Sequence, residues 1–257
     1  MSIFDRFRLD GDTAIITGAG AGIGAGIARG FAEAGADVAI VARSAQALAR
    51  VKAEVEALGR RCEAIAMDVT APGAPAEIAR CARAALGRPT ILINNVGGLG
   101  GGETIHSAMD IPADVFRTQL EVNLTSALLM TQAVAPLMTD GGTIINMSSI
   151  MGFKPAGGAA GYIASKAAMN NLTVALAQDL APAIRVNGIA PGPIITDALT
   201  GPLGLKNQED YDRIAREWGV GVQRLGTPED IANVALLLAS KAGGFITGQT
   251  LIVAGGM

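Results

Sequence analysis

The sequence has few of the features that several classes of protein require. It carries two cysteines in 257 residues, Cys62 and Cys81, whose spacing matches no metal-binding or redox motif and which are too few for a disulfide framework. We therefore predict reduced thiols, no metal and a cytoplasmic location. No run of about 18 uncharged apolar residues occurs, so no membrane-spanning helix is predicted. Residues 1–12 alternate charged and apolar side chains, unlike a signal or transit peptide.

Charge is also scarce. The formal net charge is −3 at pH 7, so the chain has no basic excess with which to bind nucleic acid or an anionic membrane surface. Only 17% of the residues are charged, whereas 50% are hydrophobic. A parallel sheet with helices on both faces buries such an apolar surplus, and subunit interfaces would bury more of it.

Short β-branched segments alternate with longer alanine-rich segments of helical period, which predicts repeated βα units on a parallel sheet. The predicted strands are 13–17, 37–42, 62–67, 90–94, 143–147, 184–189 and 250–253. The predicted helices are 22–34, 45–58, 74–86, 112–138, 161–180 and 228–239. No linker and no internal repeat interrupts them, so residues 1–257 are predicted to form a single α/β domain built on this parallel sheet.

Residues 197–226 depart from this alternation. They follow a predicted strand and carry Pro202, several glycines and apolar side chains that include Trp218. Because ligands bind beyond the carboxyl ends of the strands in open α/β sheets, we interpret this excursion as a substrate lid. The alternative is an ordinary packed helix and loop.

The first predicted strand leads into a glycine-rich turn, Thr17-Gly18-Ala19-Gly20-Ala21-Gly22-Ile23-Gly24. Glycines permit a tight turn and a close approach of the backbone to a pyrophosphate, and the next helix directs its free N–H groups at the phosphates. A purely structural turn is the alternative. The residues expected to contact the cofactor here are Gly18, Ala21, Gly22, Ile23 and Gly24.

The end of the second predicted strand bears on the choice of nicotinamide cofactor. An acidic residue there would favour NAD(H), but the sequence has Ala42-Arg43-Ser44, and the guanidinium of Arg43 can pair with a 2′-phosphate. We predict a preference for NADP(H), with NAD(H) as the alternative. Ala21 argues against this preference, because a second basic residue at that loop position could have helped to bind the 2′-phosphate. Asp68, after the third strand, is expected either to accept a hydrogen bond from adenine or to cap a turn.

The segment Tyr162-Ile163-Ala164-Ser165-Lys166 is the most informative in the chain. Residues at positions i and i+4 share a helix face, so the ammonium of Lys166 would stabilise the phenolate and lower the pKa of Tyr162 toward working pH. Such a pair also occurs by chance. Ser149, at the end of a predicted strand, could donate to a substrate oxygen. Asn123 falls inside a long predicted helix, where it either faces solvent or bonds to backbone or water near the site.

Taken together, these residues resemble the short-chain dehydrogenase/reductase family over residues 10–256. Residues 17–24 resemble its cofactor motif and Asn94-Asn95-Val96-Gly97 its NNAG motif, with Val96 in place of alanine. The spacing of Asn123, Ser149, Tyr162 and Lys166 is similar to the catalytic tetrad of the family. Residues 191–196 resemble its nicotinamide-contacting segment. The glycine run 97–102 is unusual, and we expect a mobile loop there.

The resemblance implies a Rossmann-type doubly wound parallel sheet of seven strands with helices on both faces, usually in a homotetramer. It implies that Tyr162 is the general acid/base, that Lys166 binds the nicotinamide ribose and lowers the pKa of Tyr162, and that Ser149 orients the substrate. Asn123 would anchor a water that relays protons to Lys166. The cofactor contacts that it adds are Arg43, Asp68, Val69, Asn95, Gly97, Tyr162, Lys166, Gly192, Ile194 and Thr196.

The resemblance predicts hydride transfer between NADP(H) or NAD(H) and a secondary alcohol or ketone. Within the family the chain is most similar to bacterial hydroxysteroid dehydrogenases of the 7α type, which suggests a hydroxysteroid or another small apolar substrate. One alternative is a 3-oxoacyl-carrier-protein reductase, and another, of a different class, is a non-catalytic nucleotide-binding or scaffold protein.

Overall fold

The computed structural model describes residues 2–99 and 106–257. Within these residues seven parallel strands form one sheet, in the order β3-β2-β1-β4-β5-β6-β7. The strands are β1 (Thr13–Thr17), β2 (Asp37–Ala42), β3 (Cys62–Ala66), β4 (Ile91–Asn94), β5 (Gly142–Met147), β6 (Ile184–Pro191) and β7 (Thr250–Val253). The sequence predictions of strand number and of a doubly wound parallel sheet are confirmed.

Helices connect the strands. They are α1 (Gly22–Glu33), α2 (Ala45–Ala57), α3 (Ala74–Leu86), α4 (Ala113–Leu120), α5 (Ser126–Val134), α6 (Ala160–Asp179), α7 (Asp197–Leu203), α8 (Gln208–Glu217) and α9 (Pro228–Ala239). Good caps mark several starts: Thr227 and Asp230 form a reciprocal capping box at α9, and Ser44 accepts from Ala47 N at α2. Among the described residues, no helix is long and apolar enough to cross a membrane.

The helices form two layers, one on each face of the sheet. Successive strand side chains point to opposite faces, so Ile16 packs with α1, α2 and α9, whereas its neighbour Ile15 packs with α3, α5 and α6. Both isoleucines are fully buried. Burial of an isoleucine side chain contributes about 1.5–3 kcal/mol, and these two layers contain most of the apolar residues in the described chain.

The strand order also locates the site. From β1 the chain proceeds outward through β2 and β3, and then returns to place β4 on the other side of β1. Helices therefore leave the carboxyl ends of β1 and β4 on opposite faces, which opens a crevice between those ends. Ligands of doubly wound sheets bind in this crevice.

The predicted helix 112–138 is confirmed as one helical stretch, in which α4, a π turn at Glu121–Thr125, α5 and a 3-10 turn at Ala135–Leu137 follow one another without a break. The side chain of Asn123 turns inward from the π turn, where it meets backbone groups of the loop after β4. The sequence did not predict the π turn, because periodicity does not reveal one inserted residue in a helical turn.

Residues 197–226 contain α7 and α8, which pack around a small apolar cluster separate from the two layers of the sheet. Its buried members are Leu205, Ile214, Ala215, Val220 and Leu225. Thr196, just before this segment, lies beside the glycine turn, and Gly226 pairs with Ile194. The segment therefore leaves the sheet and returns to it next to the crevice, where a lid would be placed.

Candidate active site

The glycine turn after β1 fits a pyrophosphate. Gly18 and Gly22 have φ of +67° and +54°, a region that glycine enters without strain. A Cβ on Gly24 would collide with the carbonyl oxygen of Gly18, so the turn closes only with glycine there. Ala21, the N-cap of α1, gives no side-chain cap, and the first turn holds no acidic residue. The N–H groups of Ile23 and its neighbours are thus left without a competing side chain, as an anionic ligand requires.

Asn95 holds this turn from the neighbouring strand. Its Nδ2 donates to the carbonyl oxygens of Thr17 at 3.0 Å and Gly18 at 3.2 Å. The hydroxyl oxygen of Thr17 accepts from the backbone N–H of Asn95 at 3.0 Å and of Val96 at 3.2 Å. The side chain predicted to contact the cofactor is therefore engaged in holding the ends of β1 and β4 together.

Arg43 and Asp68 lie at the same edge, beyond β2 and β3. Arg43 is exposed, and no carboxylate of the described residues forms an ion pair with it. Asp68 accepts from the backbone N–H of Thr70 at 2.9 Å and from its hydroxyl at 2.7 Å, and these bonds lower the pKa of the Asp68 carboxyl, with a smaller contribution from Arg43. Asp68 thus caps a turn, the second of its two expected roles, and Val69 beside it is buried.

Ser149, Tyr162 and Lys166 converge at the carboxyl end of β5. Ser149 follows β5 and lies beside the phenol of Tyr162, in the first turn of α6. Lys166 Nζ is 5.6 Å from the centre of the Tyr162 ring and donates to the carbonyl oxygen of Met147 at 2.8 Å. The end of β5 supplies the hydroxyl and the helical spacing in α6 supplies the phenol and the ammonium, and they meet at one corner of the crevice. We name it the catalytic corner, after the roles predicted for these residues.

Burial controls the ionisation of these groups. The pKa of Tyr162 is raised, because burial disfavours the phenolate more than the Ser149 hydroxyl stabilises it. This differs from the sequence expectation of a lowered value, since Lys166 bonds to a backbone carbonyl. Burial also lowers the pKa of Lys166 to about 8. The side chain is 3% exposed, and among the described residues no carboxylate pairs with it.

Asn123 completes the corner from the π turn. Its side chain is fully buried; Oδ1 accepts from Gly98 N, and Nδ2 donates to the carbonyl oxygens of Gly98 and Gln119, all at 2.8 Å. A Cβ on Gly97 would lie 2.8 Å from both Asn123 Oδ1 and Lys166 Nζ, so the loop reaches this position only with glycine. The structure therefore favours the second sequence alternative, a bond to backbone near the site.

The glycine run 97–102 is described only in part. Gly98 and Leu99 contact Asn123 and Gln119 through hydrogen bonds. Residues 100–105 lie outside the described residues, and with them half of the run 97–102 for which a mobile loop is expected.

The segment after β6 reaches the glycine turn. Gly192 lies so close to Ala254 that a Cβ would be 2.7 Å from Ala254 Cα, and Ile194 is buried. The Thr196 methyl would lie 3.0 Å from a Cβ on Gly22. Gly22 and Thr196, two predicted cofactor contacts that are far apart in the sequence, are thus adjacent in the structure.

Three polar side chains near the corner, two of them buried, were not predicted from the sequence: Ser148, Gln119 and the half-buried Asn170. The hydroxyl of Ser148 lies 2.6 Å from Asn170 Oδ1 and 3.0 Å from the carbonyl oxygen of Lys166. Gln119 donates to the carbonyl oxygen of Leu99. Their helical spacing was a usable signal, because Asn170 is four residues after Lys166 and Gln119 four before Asn123.

Comparison with known proteins agrees with this geometry. A family model described as enoyl-(acyl carrier protein) reductase matches residues 18–257. The 7α-hydroxysteroid dehydrogenase of Escherichia coli K12 is 41% identical over 255 residues, which cover 98% of this chain and 96% of that protein.

Two solved structures extend the comparison. A 7α-hydroxysteroid dehydrogenase complexed with NADH and 7-oxo glycochenodeoxycholic acid matches with a TM-score of 0.90 and 40% identity, covering 100% of this chain and 98% of that one. A 3-oxoacyl-(acyl-carrier-protein) reductase from Agrobacterium tumefaciens C58 with NADP bound matches with a TM-score of 0.90 and 31% identity, at 100% and 98% coverage.

Proposed function

The chain belongs to the short-chain dehydrogenase/reductase family, and from that premise we propose that it interconverts a secondary alcohol and a ketone with NADP(H) as its preferred cofactor. That it is a nicotinamide-dependent oxidoreductase follows from the family. The observation that carries the reaction is the catalytic corner, where Ser149, Tyr162 and Lys166 meet beside the glycine turn. The non-catalytic alternative is set aside, because the relatives named here are dehydrogenases and reductases.

The proposed roles follow from the position of each group. The bound nicotinamide supplies or accepts the hydride. Tyr162 donates its phenolic proton to the carbonyl oxygen during reduction and takes it back during oxidation. Ser149 donates a hydrogen bond to the same oxygen as negative charge develops on it. Lys166 binds the nicotinamide ribose, and its ammonium favours the phenolate in the reacting complex.

Asn123 is proposed to anchor the water that connects Lys166 with solvent. Both N–H groups of its side-chain amide are already engaged, with Gly98 and Gln119. The water would therefore be held through the remaining lone pair of Oδ1, which lies on the Lys166 side of the loop.

The cofactor preference rests on Arg43. Its exposed guanidinium follows β2, where the adenosine ribose of a Rossmann cofactor lies, and no carboxylate occupies that strand end. The ratio of kcat/KM for NADPH and NADH measures the preference. A tenfold or greater preference for NADH, about 1.4 kcal/mol, would contradict the assignment.

For the substrate, we propose a small apolar alcohol or ketone, with a hydroxysteroid as the first candidate because of the likeness to 7α-hydroxysteroid dehydrogenase. A 3-oxoacyl-carrier-protein reductase is the second candidate, favoured by one structural relative. An acidic carrier needs a basic surface at the mouth of the site. The charges of residues 206–217 are mixed: Lys206, Arg213 and Arg216 against Glu209, Asp210, Asp212 and Glu217.

The test is a panel of 7α-, 3- and 17-hydroxysteroids, acetoacetyl thioesters and simple cyclic ketones, each with both cofactors. We expect turnover of at least one apolar secondary alcohol or ketone. Turnover confined to acyl thioesters would favour the second candidate, and no nicotinamide-dependent turnover across the panel would contradict the proposal. We further propose that the protein is a cytoplasmic homotetramer. Sedimentation of the purified protein tests the number of subunits.

A further inference from the structure

Gln119, in the last turn of α4, is a long polar side chain in an enclosed position. It is 3% exposed, and α4 packs against α6. Burying a side-chain amide is costly unless hydrogen bonds replace its water. The contacts of Gln119 therefore show what the buried amide is used for.

One end of the amide holds the loop after β4. Nε2 donates to the carbonyl oxygen of Leu99 at 2.5 Å. One turn later Asn123 binds both backbone groups of Gly98, and it also donates to the carbonyl oxygen of Gln119 itself. Two amides at i and i+4 on one helix face thus bind three backbone groups of two consecutive loop residues.

The other end of the amide faces the start of α6. Oε1 lies so close to Gly161 that a Cβ there would collide with it, and Gly161 directly precedes Tyr162. The N-cap of α6, Ala159, provides no side-chain cap, so the first N–H groups of that helix carry uncompensated positive character. Oε1 has no hydrogen-bond partner among the described residues, so Gln119 meets the start of α6 by close packing and not by a hydrogen bond. Gln119 therefore spans from the loop to the helix that carries the phenol.

The position of this loop matters to the reacting groups. Residue 97, two positions before Leu99, lies against Lys166 Nζ and Asn123 Oδ1 with no room for a side chain. If residues 97–99 moved outward, the Lys166 ammonium and the Asn123 amide would lose the backbone that bounds them on this side. A residue that fixes the loop thus acts on the reaction through Lys166 and Asn123.

We propose that Gln119 is a positioning residue that clamps residues 97–99 against the catalytic corner while its side chain packs on the start of α6. The inference rests on the proposed oxidoreductase function for its kinetic consequence but not for the clamp itself. Asn123 and Lys166 are assigned by their likeness to the family tetrad, whereas Gln119 is assigned by its contacts alone.

The test replaces Gln119 by methionine, which keeps the length and helix preference of the side chain and removes the amide. Gln119→Leu is the second variant. The matched control is Asn187→Met in β6, another fully buried amide that donates to the carbonyl oxygen of Ile246 at 2.8 Å and accepts from Gln249 N at 3.1 Å. Asn187 likewise fixes a loop, but at the β6–β7 edge of the sheet.

Loss of one buried hydrogen bond predicts that kcat/KM with the best substrate falls about tenfold in Gln119→Met. Most of the change should appear as a higher KM for the nicotinamide cofactor. The thermal midpoint of Asn187→Met should fall at least as far as that of Gln119→Met. At temperatures below that midpoint, the kcat/KM of Asn187→Met should stay within about twofold of wild type.

Hydrogen exchange supplies a readout that needs no turnover. The Gly98 amide, bonded to Asn123, should be protected in the wild-type protein, and its exchange should be about tenfold faster in Gln119→Met but unchanged in Asn187→Met. If no substrate in the panel turns over, the proposed function fails while the exchange data still decide the clamp. An unprotected Gly98 amide in the wild type, which is measurable even when neither variant folds, would overturn the inference. So would equal kinetic losses in Gln119→Met and Asn187→Met.

Discussion

The catalytic corner and the lid segment, residues 197–226, differ in how they are held. At the corner Ser149, Lys166 and Asn123 are at most 7% exposed, and each bonds to backbone of the sheet ends or of the adjoining loops. In the lid α7 and α8 are exposed on most faces and pack on one small apolar cluster. Reacting groups are thus fixed by the fold, whereas the segment proposed to select the substrate is a lightly attached unit.

The attachments of the lid show the same difference. Its ion pairs lie on the surface, as between Arg213 and Glu217 at 3.2 Å, and such pairs contribute little stability. At the carboxyl-terminal end of this segment, a bidentate ion pair between Arg224 and Asp230, at 2.7 and 2.9 Å, attaches it to α9. A segment attached in this way can change its sequence without disturbing the sheet, as a lid that selects the substrate would require.

The strongest test of the comparison is Tyr162→Phe. If the corner carries the reaction, removal of the hydroxyl should lower kcat by at least about a hundredfold, because a positioned proton donor contributes at least that much. The dissociation constant of the cofactor and the thermal midpoint should change little. The measurement is steady-state turnover together with cofactor titration. Near-normal turnover would contradict the assigned mechanism and return the phenol to a structural role.

The second prediction concerns the free energy of unfolding, which Lys166→Met should raise by about 2 kcal/mol at pH 7. Burial lowers the pKa of Lys166 in the folded protein to about 8, from the 10.5 of a solvated lysine. The penalty for the buried ammonium is therefore full below pH 8 and disappears as pH rises toward 10.5. Methionine removes that penalty but leaves the Met147 carbonyl without its donor, which costs about 1 kcal/mol.

Urea unfolding at pH 7 and at pH 10 checks this prediction. The stability advantage of Lys166→Met should be present at pH 7 and largely gone at pH 10, while turnover is lost at both. A variant less stable than wild type at pH 7 would contradict the prediction. It would show that the ammonium of Lys166 contributes net stability to the fold, in addition to its proposed part in the reaction.

The sequence predicted the sheet well because each strand and helix has a strong local pattern. Residues 13–17 alternate between the two apolar layers, and the glycine turn follows them directly. The site was less predictable where it depends on contacts between distant segments. The bond from Gln119 to Leu99 joins segments that are 20 residues apart, and the orientation of Asn123 depends on a π turn, which no periodicity reveals. The pKa of Tyr162 was expected to fall, because burial cannot be read from an i,i+4 pair.

The third prediction compares the interiors of the two regions. Leu205→Ala, in the lid cluster, should lower the free energy of global unfolding by only about 1 kcal/mol, since few neighbours depend on it, but should raise the substrate KM several-fold. Leu92→Ala, in the fully buried middle of β4, is the control and should cost about 3 kcal/mol or more. Equal losses of stability would mean that the lid is part of the main core.

The smallest predicted effect concerns backbone strain, of which each region has one instance outside glycine. Ala159 before α6 has φ of +52°, and Gln223 in the lid has φ of +58°. Substitution by glycine removes a strain of about 1 kcal/mol and adds conformational entropy to the unfolded chain, so each variant should gain no more than about 0.5 kcal/mol. Chemical unfolding measures this gain.

The consequences for activity should differ, because Ala159 is the N-cap of the helix that carries Tyr162, whereas Gln223 is exposed. Added freedom at Ala159→Gly should therefore lower kcat a few-fold, while Gln223→Gly should leave it unchanged. If both variants kept the wild-type kcat, the strained backbone at Ala159 would have no part in positioning the phenol, and the corner would owe its geometry to side-chain bonds alone.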